Sequence, residues 1–147
     1  MSLGDVKANF PEAIALAADE GFGKGYRGNL YAGYSSRPTP YPGFADAPAD
    51  DRFHALDQVV GVTIDDQTKA YPFRTLVSTP VVNDEVGGEP IVVFWGGDTA
   101  DALDASLISK AAAVGPGVAY LRRVGGQVLT FTSNADGTFT DQQTGSS

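Results

Sequence analysis

Three aspartates follow a short apolar stretch at intervals of three residues: Asp98, Asp101 and Asp104. Their carboxylates are hard oxygen donors of the kind that Ca²⁺ and Mg²⁺ prefer. The same spacing suits the start of a helix, because Asp98 can cap it and Asp101 falls in its first turn. Since the positive end of that helix would repel a cation, we favour capping and expect neither a metal nor another cofactor.

A single histidine, His54, and the absence of cysteine limit the remaining chemistry. Thiolate zinc sites, iron–sulfur clusters, cysteine nucleophiles and sites with two histidine ligands are excluded. Asp51 or Asp57 could orient His54 as a general base towards the hydroxyl of Ser78 or Thr79. A lone histidine among apolar neighbours is more commonly packed or on the surface, and no G-x-S-x-G or S-x-x-K motif supplies a nucleophile. We therefore predict no catalytic residue and lean towards a protein without enzymatic activity.

The stretch 22–56 is rich in Gly, Pro and Tyr and predicts an extended arm. Residues 23–28 match G-x-G-x-x-G, but a predicted helix precedes them and no helix follows, so we reject a dinucleotide site. The tyrosines, with Arg27 and Arg37, could stack on sugar rings or bind a partner protein. The interpretation we favour is that these rings cover one face of a sheet.

The length of 147 residues predicts one domain, and the net charge of −8 argues against nucleic acid as a partner. No apolar run is long enough for a transmembrane segment. The compartment is left unknown: the protein is either cytoplasmic or exported with its signal peptide removed. The partner is left as an unknown small molecule or protein, and the oligomeric state is left open.

The predicted fold class is α+β: a β-rich, mainly antiparallel sheet with two short helices and the extended N-terminal arm. The N-terminal helix is expected within 1–21, with Pro11 at its first helical position. The second helix is expected over 101–113, inside a β-rich core that spans 57–147. Alternating β-branched runs and turn residues predict three hairpins in that core, the middle one with a longer loop: 59–64 with 69–73, 80–82 with 91–95, and 118–123 with 127–132. A further turn is expected at 135–137.

Residues 59–147 resemble a widespread prokaryotic family of domains of unknown function. The resemblance rests on Val81-Val82-Asn83-Asp84-Glu85-Val86-Gly87-Gly88, on residues 120–131 and on Asp141-Gln142-Gln143-Thr144-Gly145-Ser146. In such relatives the hairpin is typically followed by Thr-Tyr-Cys-Pro-Leu-Cys and preceded by a histidine. Here residues 94–99 and Thr79 occupy those positions, so the thiol or metal chemistry that the resemblance implies is unavailable to this chain. The helix over 101–113 is expected to be an insertion placed over the vacated site.

The interpretation we favour is a non-enzymatic binding or structural domain with a degenerate redox or metal site. The alternative is a divalent-metal-binding protein or hydrolase that uses Asp98, Asp101, Asn83 and Asp84. Under either interpretation the candidate binding residues surround the position of the missing cysteines: Tyr71, Arg74, Thr79, Asn83, Asp84, Trp95, Asp98 and Thr99.

Overall fold

The computed structural model describes residues 3–14, 29–44, 52–97 and 99–147. Within these ranges most of the regular structure lies after residue 58 and consists of short antiparallel strands. The described residues also form two short α-helices, one of them before residue 58, and one 3₁₀ turn, Ile108–Lys110. The predicted fold class is therefore confirmed. The elements are α1 Leu3–Asn9, β1 Val59–Ile64, β2 Gln67–Pro72, α2 Phe73–Leu76, β3 Val81–Val86, β4 Glu89–Trp95, β5 Gly117–Leu121, β6 Arg123–Val124, β7 Gln127–Val128, β8 Phe131–Ser133 and β9 Phe139–Asp141.

The central sheet has the order β3-β4-β5, and the other strands form three separate hairpins, β1-β2, β6-β7 and β8-β9. The predicted pairing of 59–64 with the strand that follows is confirmed by the register of β1 and β2, in which Val60 opposes Tyr71. The second strand runs over Gln67–Pro72 instead of 69–73, and Phe73 begins α2. Pro72 ends β2, as expected for a residue that cannot donate a ladder hydrogen bond. The third predicted hairpin is confirmed around its Gly-Gly turn, but Gly117–Leu121 pairs with β4 instead.

The β3–β4 hairpin closes more tightly than the sequence predicted. Its strands extend to Val86 and Glu89, which leaves Gly87 and Gly88 as a two-residue loop. Both glycines have positive φ, 59° and 79°, as a type I′ turn requires. A β-carbon on Gly87 would also lie 2.8 Å from the Ile64 carbonyl oxygen, so the close approach of β1 demands glycine there. The expected longer loop is therefore wrong.

Strand β4 is buried on both faces, since Ile91, Val92 and Val93 are each at most 2% exposed. Alternate residues of a strand point to opposite sides, so Ile91 and Val93 belong to one face and Val92 to the other. The first face packs against the β1–β2 hairpin and α2, and its buried cluster is Val60, Tyr71, Leu76, Val86, Ile91 and Val93. Gly117 allows this packing, because a β-carbon there would clash with Val60.

The second face of the sheet is covered by the β8–β9 hairpin. The Phe94 ring lies 5.1 Å from the Phe131 ring and 4.6 Å from the Phe139 ring, measured between centroids. Asn83 of β3 adds a polar anchor: its Nδ2 donates to the Phe131 carbonyl at 2.8 Å, and its Oδ1 accepts from the Phe131 N–H at 2.9 Å. The amide thus satisfies both backbone groups of one residue, as a neighbouring strand would.

Residues 99–114 form a closed loop, so the predicted helix over 101–113 is wrong. Ala100 bridges Ala113, and the Asp101 N–H donates to the Ala112 carbonyl. Asp101 and Asp104 use their carboxylates locally, on the N–H groups of Leu103 and Ala112, both at 2.8 Å. Aspartate side chains that bond nearby backbone compete with helix formation, which explains the difference. Whether the loop is an insertion stays a prediction.

The arm is joined to this loop. Gly33 N–H donates to the Asp104 carbonyl at 2.7 Å, and Tyr34 N–H donates to the Leu103 carbonyl at 3.0 Å. Asn29 adds a side-chain bond to the Ala102 carbonyl. The tyrosines of the arm stack on each other, with 5.0 Å between the Tyr34 and Tyr41 rings. The described arm residues therefore contact the 99–114 loop, whereas we predicted that they would cover a face of the sheet.

The N-terminal helix also differs from its prediction. It ends at Asn9, before Pro11, because the residue that precedes a proline disfavours helical backbone. Asn9 caps this end by donating its side-chain amide to the Asp5 carbonyl. Pro11 lies in a turn, so it is not the first residue of a helix within 3–14. The remainder of the predicted segment lies outside the described residues.

Replacing Asn83 with alanine is expected to lower the free energy of unfolding by about 1–3 kcal/mol, because both backbone groups of Phe131 lose their partner. Chemical denaturation measures this loss, and amide exchange at Phe131 should accelerate. Glu85→Ala is the matched control, since Glu85 lies on the same face of β3 and is exposed. Equal stability of the two variants would contradict the anchoring role.

Candidate functional site

Two predicted site residues, Tyr71 and Asp84, meet in a hydrogen-bonded network with Lys69. The Tyr71 hydroxyl donates to Asp84 Oδ2 at 2.9 Å, and Lys69 Nζ lies 2.8 Å from the same oxygen. Glu85 N–H donates to Asp84 Oδ1 at 2.8 Å. The hydrogen bond from Lys69 is the largest cause that lowers the pKa of Asp84. Burial, followed by the Asp84 carboxylate, raises the pKa of Tyr71 well above its usual value. A neutral tyrosine and an ionised aspartate therefore tie β2 to β3.

Asn83 does not join this network. It neighbours Asp84 on β3, so the two side chains project to opposite faces of the sheet. Asn83 bonds to Phe131 on one side, and Asp84 bonds to Lys69 and Tyr71 on the other. The carboxylate site of the alternative interpretation, which required Asn83, Asp84 and Asp101 to converge, is not assembled by these contacts.

The carboxyl end of β4, where the resemblance places the missing cysteines, is filled by packing. The Trp95 indole lies against Gly115, where a β-carbon would come within 2.8 Å of the ring. The backbone N–H of Trp95 donates to the Pro80 carbonyl at 2.8 Å, and the backbone N–H of Gly96 donates to the Pro116 carbonyl at 3.3 Å. Within the described ranges, Trp95 Nε1 is the only buried side-chain nitrogen or oxygen without a hydrogen-bond partner.

The other predicted residues near this end are dispersed. Thr79 and Thr99 have exposed side chains, and the Thr99 carbonyl accepts from the Val114 N–H. Asp98, for which a capping role was predicted, lies outside the described residues. Asp101 does not lie in a helical first turn; it closes the 99–114 loop and is only 6% exposed.

Arg74 lies at a polar cleft that the sequence did not predict. This arm cleft has a volume of about 260 Å³ and is bounded by the arm, by residues 56–58, by the start of α2 and by the 99–114 loop. Its polar lining includes Ser35, Ser36, Asp57, Arg74, Asp101 and Asp104. The side chains come from four separate segments, so no local motif could have indicated the cleft.

Arg74 is fixed in the arm cleft by two interactions. Its Nη1 lies 3.0 Å from Asp57 Oδ2, and its guanidinium lies 5.5 Å from the centroid of the Phe53 ring. The same Asp57 oxygen accepts a hydrogen bond from the backbone N–H of His54 at 3.1 Å. The ion pair thus organises residues 54–57 as well as the arginine.

His54 lines a second pocket of about 300 Å³, which shares Ser35, Ser36, Leu56 and Asp57 with the arm cleft. The His54 residue is exposed. Ser78, one of the hydroxyls considered for a triad, donates to the Thr75 carbonyl instead. Asp51, one of the two carboxylates considered for this role, lies outside the described residues. Among the described residues no hydrogen bond joins the imidazole to a carboxylate or hydroxyl, so the arrangement of His54 with Asp57 and Ser78 is not formed.

Within the part of the chain that the structure describes, no group of three or more His, Asp or Glu side chains is placed to hold a metal ion. The 2% exposed Asp141 carboxylate, for example, is used by its own loop. It accepts from Thr144 Oγ1 and from the N–H groups of Gln143, Thr144 and Ser146, which lowers its pKa, the Thr144 hydroxyl being the largest cause. The Asp-x-x-Thr-Gly-Ser pattern carries the signal for this turn.

Strand β3, the tight turn that follows it, the β6–β7 hairpin and the Thr-Gly-Ser loop are built from residues that carried the family resemblance. The chain belongs to the family described as "Protein of unknown function (DUF3179)", whose model matches residues 1–147. The predicted membership is therefore confirmed, and the match extends over the arm as well as the core. The presence of a Cys-Pro-Leu-Cys motif in relatives stays a prediction.

Comparison with curated proteins and comparison with solved structures each found no match. In the described ranges, no helix has both the length and the apolar character needed to cross a membrane.

Replacing Asp84 with asparagine is expected to cost about 1–2 kcal/mol of unfolding free energy at pH 7, because the Lys69 ion pair is lost. The pKa of Asp84 is lowered in the folded state, so its contribution is present above the unfolded value of about 4 and disappears as the pH falls through the folded value. The stability difference between the two proteins should therefore shrink below about pH 4. Urea denaturation at several pH values measures it. Asp66→Asn, in the exposed β1–β2 turn, is the control, and a difference that is constant down to pH 2.5 would contradict the role of Asp84.

Replacing Gly115 with alanine is expected to destabilise the protein by about 2–4 kcal/mol, since the methyl group meets Trp95 and the backbone is left-handed. Gly125→Ala is the matched control: its φ of 58° is close to the 62° of Gly115, but nothing lies within 4 Å of the added carbon. It should cost only about 1–2 kcal/mol. Thermal or chemical unfolding compares the two variants, and equal losses would show that Trp95 does not fill this position.

Proposed function

We propose that this chain is a non-enzymatic binding domain that takes a small polar molecule in the arm cleft, and that the redox or metal site of its relatives is degenerate here. The single observation that carries the proposal is the cleft itself, where four separate segments bring charged and hydroxyl side chains around about 260 Å³. Concave sites with a few convergent polar groups are the usual form of ligand pockets.

The chemistry of the lining supports binding rather than a structural role. The Ser35 and Ser36 hydroxyls make no hydrogen bond with another described residue, and both line the arm cleft and the neighbouring pocket. Asp101 and Asp104 each use one carboxylate oxygen on the loop backbone, and the second oxygen of each has no donor among the described residues. Polar groups that are positioned but not satisfied by the protein are suited to a ligand.

The remaining predicted binding residues support the fold instead of the cleft. Tyr71 and Asp84 bond to each other, Asn83 bonds to Phe131, and Trp95 packs on Gly115. Of the eight predicted binding residues, we propose a binding role for Arg74 and structural roles for these four. Packing by Trp95 and Pro116 at the end of β4 also supports the loss of the site that the resemblance implies.

The test is ligand mapping by amide NMR on the full chain, with four probes at millimolar concentration: putrescine, succinate, glucose and 1,4-butanediol. At least one probe is expected to shift the amides of Ser35, Asp57 and Asp104. Ser36→Trp, which fills the cleft, should weaken that binding by about tenfold or more. Ser133→Trp, on exposed β8, is the matched control and should not. The absence of any shift at the cleft amides with all four probes would overturn the proposal.

A further inference from the structure

We propose, on the basis of the binding role proposed above, that the arm cleft selects a small organic cation, an alkyl ammonium or guanidinium, that pairs with Asp101 and Asp104. The arm cleft is polar on one part of its lining and apolar on another. The charged groups determine the charge of the ligand's head group, and the apolar groups favour an alkyl chain attached to that head group.

The ionisable side chains of the arm cleft leave an uncompensated negative charge. Arg74, the one Lys or Arg among its described lining residues, is paired with Asp57 at 3.0 Å. Asp101 and Asp104 have no Lys or Arg within ion-pair distance among the described residues. The described lining residues therefore carry an excess of two acidic side chains over basic ones.

Asp101 supplies a second observation, which is independent of charge counting. The residue is only 6% exposed, and one of its carboxylate oxygens, Oδ1, accepts the Leu103 N–H. Its other oxygen, Oδ2, accepts no hydrogen bond from a described residue, and Asp101 lines the cleft. That oxygen can therefore accept a hydrogen bond from a ligand N–H.

The two carboxylates are held in place before any ligand arrives. Asp104 Oδ2 accepts the Ala112 N–H at 2.8 Å, and Asp101 N–H donates to the Ala112 carbonyl. The Asp104 carbonyl in turn accepts the Gly33 N–H at 2.7 Å, which fixes the loop to the arm. Groups that are already ordered lose little entropy on binding, so the charge they present favours affinity.

The size and the apolar part of the lining favour an organic cation over a metal ion. A volume of about 260 Å³ is far larger than one ion, and the described residues contain no group of three metal-ligating side chains. Leu56, Phe73, Ala112 and Val114 also line the arm cleft. Such a surface binds methylene groups, so an alkyl chain that carries the charged head fits both parts of the lining. The protein's net charge of −8 favours the approach of cations.

The test compares matched probes on the full chain by calorimetry at low salt, with NMR to locate them. Putrescine and agmatine carry the proposed head groups, 1,4-butanediol is a neutral analogue of putrescine, and succinate is an anionic one. The two cations are expected to bind at the cleft amides at least tenfold more tightly than either analogue. Raising the salt concentration should weaken this binding.

Asp101→Asn and Asp104→Asn are the decisive variants. Asparagine retains an oxygen that can accept the Leu103 or Ala112 N–H, so the loop is preserved while the charge is removed. Each variant is expected to weaken putrescine binding by about tenfold with little change in thermal unfolding. Asp136→Asn is the matched control, because Asp136 likewise accepts a backbone N–H in a turn, that of Thr138 in the β8–β9 hairpin. It should leave binding unchanged.

The outcomes separate this inference from the function on which it rests. Preferential binding of succinate or butanediol at the cleft would overturn the cation inference and leave the binding role standing. No binding of any probe would overturn both. Equal weakening by Asp101→Asn and Asp136→Asn would mean attraction by the overall charge, which overturns the inference. Stoichiometric Mg²⁺ binding that Asp101→Asn abolishes would overturn it in favour of a metal. If one asparagine variant does not fold, the other decides the result.

Discussion

The fold depends on the alternation of side chains along β3. Asn83 and Asp84 are adjacent, so one faces the β8–β9 hairpin and the other faces the β1–β2 hairpin. A three-stranded sheet cannot be stable if its buried central strand β4 is left uncovered, because Ile91, Val92 and Val93 present apolar surface on both faces. The two polar residues fix the register of the covering hairpins at the positions where the apolar contacts need them. Residues 81–88, which carry the family resemblance, therefore have structural roles: Asn83 and Asp84 hold the covering hairpins, and Gly87-Gly88 forms the tight turn.

The arm cleft is built differently from this framework. Its walls are loops and turns, which tolerate variation, placed against rigid elements that position them. The hydrogen bonds from Gly33 and Tyr34 to the 99–114 loop hold the two least regular segments together. The proposed binding site is thereby separate from the sheet, and the end of β4 beside Trp95 contributes to packing.

The strands were largely predictable, because β-branched runs and turn residues are local signals. The register of β1 with β2, the turn at Gly125-Gly126 and the turn at 135–137 follow from them. The 99–114 loop was not predictable, since its apolar spacing fits a helix and only the fold reveals that Asp101 and Asp104 bond to loop N–H groups. Of the predicted site, the sequence analysis named Tyr71, Asp84 and Arg74, but not the hydrogen bond between Tyr71 and Asp84, because β2 and β3 belong to different sheets and meet only through packing. The cleft was not, because Ser35, Asp57, Arg74 and Asp101 are distant in sequence and meet only in three dimensions.

Phe73 has a consequence for how this domain can diversify. Its ring packs on the core cluster, where it lies close to Gly117, and it also lines the arm cleft. A change of this side chain would alter the interior and the ligand surface together, so the wall it forms is evolutionarily costly to reshape. The serines of the arm and residues of the 99–114 loop line the cleft but do not belong to the core cluster. Substitutions in those two segments can therefore change the ligand preference of the proposed site while Phe73 and the core stay the same.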